Sequence, residues 1–262
     1  MLVYPQLPSG ATAQYPVRKI RKTRTIVNES LDGSTVRFAD YWGQTCEWKL
    51  EYQGLSDDEA QLLQDFFESV EGRLKTFLFV DPTANLLLWT EDPARDVWEK
   101  SPLLAVSGGV DDPRGGTKAW NATNNGFAAA RIEQTLNISR PYEYCFSVYA
   151  RGAAGTEVRL SIGATFSAEK IGPEWKRIRV HGRSEVGVES TSFGLELAAG
   201  TAVDLFGPQL EAQPGASVYR KTTSRSGVYT DARFMEDRLT VTTTGPNAHS
   251  CVLRVLANAN NI

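Results

Sequence analysis

The sequence predicts a mainly β protein: an α+β first domain with one helix, interrupted by an inserted β-sandwich. Three observations predict it. Apolar and polar residues alternate with a period of two through much of the chain, the mark of half-buried strands. One stretch, SDDEAQLLQDFFESVEG (residues 56–72), instead repeats apolar residues at helical spacing. Between residues 85 and 221, short alternating runs follow one another between glycine-rich turns, as they do in sandwiches. At 262 residues, 41% hydrophobic and 23% charged, the chain has a globular composition and enough length for two cores.

In VRKIRKTRTIVNESLDGSTVRFADYWG, Asp32-Gly33 predicts a two-residue hairpin turn between two β-prone runs. CEWKLEYQGL then alternates, with Cys46, Trp48, Leu50 and Tyr52 on one face and Glu47, Lys49 and Glu51 on the other. In the helix, Ser56 is the expected N-cap and Glu59 completes a capping box. Asp57 and Asp58 complement the positive helix start, and Gly72 ends the element. Leu63, Phe66, Phe67 and Val70 form its apolar face. Phe66 and Phe67 are separated by about 100° around the axis. One is therefore expected inside the core and the other nearer a neighbouring subunit, which makes the pair the candidate assembly interface. LKTFLFVD reads as a buried strand.

In the second region, YEYCFSVYARG sets Tyr144, Phe146, Val148 and Ala150 against Cys145, Ser147, Tyr149 and Arg151. EVRLSIG sets Val158, Leu160 and Ile162 against Glu157, Arg159 and Ser161. WKRIRVHG turns Ile178 and Val180 inward and Arg177, Arg179 and His181 outward, and SFGLELAAG contributes Phe193, Leu195 and Leu197. At the end of the chain, RLTVTTT and SCVLRVLA flank a turn at Gly245-Pro246. So short a segment cannot form its own core. It is expected to complete the first domain, giving residues 1–84 plus 222–262 as one domain and 85–221 as the insertion.

CEWKLEYQGLSDDEAQLLQDFFESVEGRLKTFLFVDP resembles a pattern of bacteriophage tail proteins, in which a helix with paired aromatics precedes a glycine and a strand ending in Phe-x-Asp-Pro. The matching residues are Phe66, Phe67, Gly72, Phe77, Phe79, Asp81 and Pro82. NLLLWTED followed by Trp98, YCFSVYARG, EWKRIRV and DLFGPQLEAQPGASVY resemble a phage-associated, carbohydrate-binding-like jelly roll. Its closing strand is matched by Gly207, Gln209, Leu210 and Glu211, with Tyr219 after it. The resemblance spans residues 15–221. It implies a distal tail or tail-hub protein made in the host bacterial cytoplasm and carried in the virion tail. The implied partners are further copies in a hexameric ring, the tail tube, tail-tip or hub proteins and host cell-surface polysaccharide. A second reading remains open: a carbohydrate-binding adhesin or receptor-binding protein mounted on a tail-attachment domain.

The net charge of −3 argues against a general affinity for nucleic acid or anionic membrane. The basic run Arg18, Lys19, Arg21, Lys22, Arg24 reads as a strand at a subunit interface or a solvated face. No apolar run approaches the roughly 18 residues of a membrane span, and MLVYPQLPSG lacks the order of a signal peptide. Cys46, Cys145 and Cys251 read as buried or half-buried thiols of a reducing cytosol. Two histidines, His181 and His249, and no HExxH, GxSxG or P-loop mean that no enzyme activity, cofactor or metal is expected. Glu91, Asp92, Asp96, Asp111 and Asp112 read as solvated loop carboxylates, with a calcium site as the alternative. The candidate glycan-binding residues are Tyr149, Arg151, Arg159 and Arg179, which alternation turns away from the core. The tyrosine would stack on a sugar ring, and the arginines favour an acidic or phosphorylated glycan. Trp89, Trp98 and Trp175 are assigned to the core, and Trp120 is left unassigned.

Overall fold

A long hairpin opens the regular structure. β1 (Arg18–Glu29) and β2 (Thr35–Leu55) pair antiparallel from Arg18↔Lys49 to Glu29↔Thr35. The structure, a computed structural model, describes residues 1–138 and 141–259. Instead of a two-residue turn, residues 30–34 connect the strands, closed by Ser30 N–H to Ser34 O and Gly33 N–H to Ser30 O. The Asp32 carboxylate accepts from Ser34 N–H at 3.0 Å and Gly33 takes φ +81°, which widens the turn by local bonding. β2 also joins what reads as two strands. At the junction Asp40 Oδ1 accepts from the Trp42 and Gly43 N–H groups at 3.1 Å, and the pairing shifts between Lys22 and Arg24. Beyond it Cys46, Trp48, Leu50 and Tyr52 are buried.

α1 (Asp57–Ser69) carries the expected capping box: Ser56 Oγ accepts from Glu59 N–H at 3.2 Å, and the Glu59 carboxylate from Ser56 N–H at 3.1 Å. Phe66 is buried among Tyr4, Phe77 and Phe234. Phe67 is half-buried, its ring 5.1 Å from Phe234. β3 (Phe77–Val80) is wholly buried.

Ten strands follow: β4 (Glu99–Lys100), β5 (Leu104–Val110), β6 (Ala119–Asn124), β7 (Ala130–Leu136), β8 (Glu143–Gly152), β9 (Thr156–Ile162), β10 (Thr165–Ile171), β11 (Lys176–Arg183), β12 (Thr191–Leu197) and β13 (Ala202–Glu211). They form two five-stranded antiparallel sheets, ordered β10-β9-β12-β7-β4 and β11-β8-β13-β6-β5, between which the chain alternates as a jelly-roll sandwich. Leu160, Ile162, Phe193 and Leu195 from one sheet meet Phe146, Val148, Ile178 and Val180 from the other. Trp98 is in this core as expected, and Trp120 joins it with ring centroids 6.4 Å apart. Trp175 and Trp89 depart from expectation. Trp175 is half-buried against the Phe206–Tyr219 cluster, and Trp89 is half-buried beneath the Arg95 guanidinium at 4.1 Å.

The chain ends with β14 (Val228–Phe234), β15 (Val241–Gly245) and β16 (Ala248–Asn258). The resulting sheet runs β1-β2-β16-β14-β3, with β15 on β16. β16 pairs with β2 from His249↔Leu55 to Asn258↔Thr45 and adds Leu253, Val255 and Ala257 to the core of Trp48, Phe66 and Phe79. Two compact units result, Met1–Val80 with Val228–Ile262 and Asp81–Gly227.

Candidate functional site

Tyr149 and Arg151 on β8 and Arg179 on β11 share the outer face of the β11-β8-β13-β6-β5 sheet. Arg159, on β9, belongs to the other sheet and lies on the far side of the sandwich. The four do not form one surface. Alternation orients a side chain relative to its own sheet and is silent about which of two sheets that is.

The face around Tyr149 is largely occupied by its own chain. Cys145 and Ser147, which alternation sets on the outer face, are fully buried there, in keeping with the buried thiol expected of Cys145. Residues 212–220, after β13, fold back over them through a polar network anchored on Gln209 and Glu211. The buried Glu211 carboxylate accepts from Ser217 N–H at 2.9 Å and from the Gln209 amide at 2.8 Å. Arg177 donates to Ser147 Oγ at 2.9 Å, and Arg220 N–H donates to Gln209 Oε1 at 2.6 Å. The Tyr149 ring already meets the Arg177 guanidinium at 5.3 Å. Arg151 is held between Asp204 at 3.0 Å and the Trp175 ring at 4.7 Å. Burial pushes the Cys145 thiol up to about 11; Glu211 adds to this and Arg179 and Arg177 oppose it. Of the predicted residues on this face, only Arg179 is exposed.

The opposite face is open. Phe166↔Ser161, Ser161↔Gly194 and Gly194↔Glu133 pair in one row across β10, β9, β12 and β7. Phe166 is 58% exposed, with the Arg159 guanidinium 3.5 Å from its ring centroid. Glu196 accepts from Arg131 at 2.8 Å and from Arg159 at 3.5 Å. Gly194 is itself buried: a Cβ there would lie 2.4 Å from both Glu133 Cβ and Ile132 O, so β7 closes over the middle of the row and only glycine fits. Beside the row opens a cavity of about 310 Å³, lined by Arg131, Glu133, Gly163, Thr165, Arg183 and Ser192 among others. An exposed ring beside a cavity edged with hydroxyl, carboxylate and guanidinium groups can stack on a saccharide and hydrogen-bond it. Phe166 escapes the sequence reading because it follows a turn. The signal was present: a two-residue turn at Gly163-Ala164 pairs Ile162 with Thr165 and places Phe166 on the same face as Arg159.

The acidic loop residues have partners of their own. Asp112 accepts from the backbone N–H groups of Arg114 at 2.8 Å, Lys118 at 3.0 Å and Gly116 at 3.2 Å. Burial opposes its ionisation, but these donors and Arg114 hold the carboxyl below the usual range. Glu91 pairs with Lys221 at 2.6 Å and Asp92 with Arg95 at 2.8 Å. Among the described residues no three or more of His, Cys, Asp and Glu are grouped to hold a metal.

No protein-family model and no curated protein matches the chain. Solved structures similar to it include the enzymatically active domain of tailspike protein 4 of bacteriophage CBA120, at TM-score 0.40 and 11% identity over 51% of this chain and 22% of that one. TmCBM61, in complex with beta-1,4-galactotriose, matches at TM-score 0.39 and 15% identity over 49% of this chain and 99% of that one. The CBM22-1 xylan-binding domain from Paenibacillus barcinonensis Xyn10C matches at TM-score 0.40 and 16% identity over 52% of this chain and 96% of that one. The match takes in under a quarter of the tailspike domain. Likeness at this level assigns no family, ligand or activity.

Proposed function

We propose that the chain is a carbohydrate-binding protein whose sandwich holds a polysaccharide along the outer face of the β10-β9-β12-β7 strands. The observation that carries this is Phe166. Its ring, stacked by the Arg159 guanidinium, is still 58% exposed, in line with Ser161, Gly194 and Glu133 and beside the cavity. Apolar surface exposed at that scale is costly in water, and the apolar face of a sugar ring covers it. Charge balance narrows the ligand class. Arg131 and Arg159 share Glu196, and the cavity also holds Glu133 and Glu185. The guanidiniums are therefore matched by carboxylates, which favours a neutral, hydroxyl-rich polysaccharide over the acidic glycan that arginines alone suggest. The test is affinity electrophoresis of the full chain against neutral and acidic bacterial surface polysaccharides. Phe166→Ala should weaken binding of a neutral polymer about tenfold, and Tyr149→Ala should leave it unchanged. Binding confined to acidic polymers and abolished by Tyr149→Ala returns the site to the other face, and failure to bind any polymer overturns the reading.

A second reading makes the chain a ring subunit of a phage tail tip, with the sandwich at its periphery. It is supported by the tail-protein phrases of residues 46–82 and by β1, every residue of which is exposed. The mass of the purified chain in solution tests it, since this reading demands a closed assembly.

A further inference from the structure

Alternation makes Arg159 a candidate sugar contact, yet in the structure its guanidinium is already engaged on two sides. Across the β9–β10 hairpin Phe166 pairs with Ser161 and Ala168 pairs with Arg159, which makes Phe166 and Arg159 diagonal neighbours on one face of the sheet. Ser161 and Ala168 are both small, so the large ring can lean along the strand towards Arg159. Its centroid comes to lie 3.5 Å from the guanidinium carbon, a direct stack. On its other side the guanidinium donates from Nη1 to Glu196 Oε1 at 3.5 Å. Glu196 stands opposite Arg159 across β9 and β12, and opposite Arg131 across β12 and β7. Its second oxygen, Oε2, accepts from Arg131 Nε at 2.8 Å. The carboxylate is thus anchored from both neighbouring strands, and only 18% of its side chain is exposed.

We propose that Arg159 is a positioning residue: it holds the Phe166 ring in the orientation that stacks on a sugar and does not itself touch the sugar. The inference rests on the glycan reading of this face and gives Arg159 a different role within it from the one alternation suggests. β10 is an edge strand, and a ring there among small neighbours keeps its rotamer freedom until something fixes it. A ligand that had to fix the ring would lose affinity by doing so. Here the ring is fixed before any ligand arrives. The guanidinium is flat and covers one face of the ring while Phe166 stays exposed, so the opposite face is the one offered to a ligand. Glu196 keeps the guanidinium from swinging out to solvent, and Arg131 keeps Glu196 in place.

Affinity electrophoresis of the full chain in gels containing an uncharged polymer (dextran, galactan, xylan or a neutral bacterial surface polysaccharide) tests it by a double-substitution cycle. Arg159→Met keeps the aliphatic bulk and removes the charge and the flat head; it should weaken binding about three- to fivefold. Phe166→Ala should weaken it about tenfold. Adding Arg159→Met to Phe166→Ala should change nothing further, because a residue that acts through the ring has no effect once the ring is gone. Glu196→Gln should reproduce part of the Arg159→Met loss, and Arg159→Lys should recover little, since an ammonium has no flat face. Salt gives a second readout, which a merely structural role would not move. At about 1 M salt the screening length is about 3 Å, and the partly exposed Arg159–Glu196 pair loosens. The wild-type chain should then bind the uncharged polymer more weakly, whereas Arg159→Met should not respond. Losses that add in the double variant make Arg159 a direct sugar contact, and an Arg159→Met chain that binds like the wild type makes the stack incidental. Either result overturns the positioning role and leaves the glycan reading standing. A Phe166→Ala chain that binds like the wild type, or a wild-type chain retarded by none of the polymers, overturns both.

Discussion

β1, of twelve residues, and β8, of ten, are both long strands, yet every residue of β1 is exposed and no residue of β8 is. β1 is an edge strand with one neighbour, while β8 lies between β11 and β13. Beneath β8 is the sandwich core, and above its first half runs the network of Gln209, Glu211 and Ser217. The contrast teaches that alternation reports two faces and nothing about what covers each. Where a second layer exists, the polar half of the pattern is sealed and must be hydrogen-bonded. Where none exists, the apolar half stays open to solvent or to a partner.

The largest test of this contrast is a pair of matched truncations. Phe146→Ala on β8 should cost the sandwich about 3–5 kcal/mol. Phe38→Ala on the β1–β2 hairpin should stay within about 0.5 kcal/mol. Urea unfolding followed by tryptophan fluorescence measures both, and equal losses would erase the distinction between the strands.

The sealed polar face should respond next. Glu211→Ala leaves the Gln209 amide and the Ser217 N–H without their buried acceptor, at a cost of about 2 kcal/mol. The variant should also raise proteolysis within residues 209–220. Unchanged stability and unchanged cleavage would show that other contacts hold this segment down.

The smallest effect is chemical. Burial pushes the Cys145 and Cys251 thiols up to about 11, from a value of 9.0 when unburied. The folded state therefore holds these protons more tightly than the unfolded one. Their contribution to stability is complete below pH 9 and is lost as the pH rises towards 11. At neutral pH both thiols should resist an aromatic disulfide reagent until the chain is denatured, whereas a cysteine placed on β1 by Thr25→Cys should react at once. Rapid modification of Cys145 in the native protein would mean that the β8 face opens.

What the amino-acid sequence determined by itself was local. The capping box of Ser56 and Glu59, the apolar face of α1 and the buried row Cys46, Trp48, Leu50, Tyr52 depend on residues within a few positions of one another. The unequal depths of Phe66 and Phe67 follow from helix geometry in the same way. Tertiary structure decided the rest. It sent Arg159 to a different sheet from Tyr149, and it buried Cys145 and Ser147 beneath a segment some sixty residues further along the chain. It also aligned Phe166 in one row with Gly194 and Glu133, through a strand, β12, that its own sequence neighbours do not announce. The physical reason is that a strand's alternation is set by its own backbone. Its neighbours and its cover are chosen by hydrogen bonding and packing summed over whole sheets, and no short stretch encodes that sum.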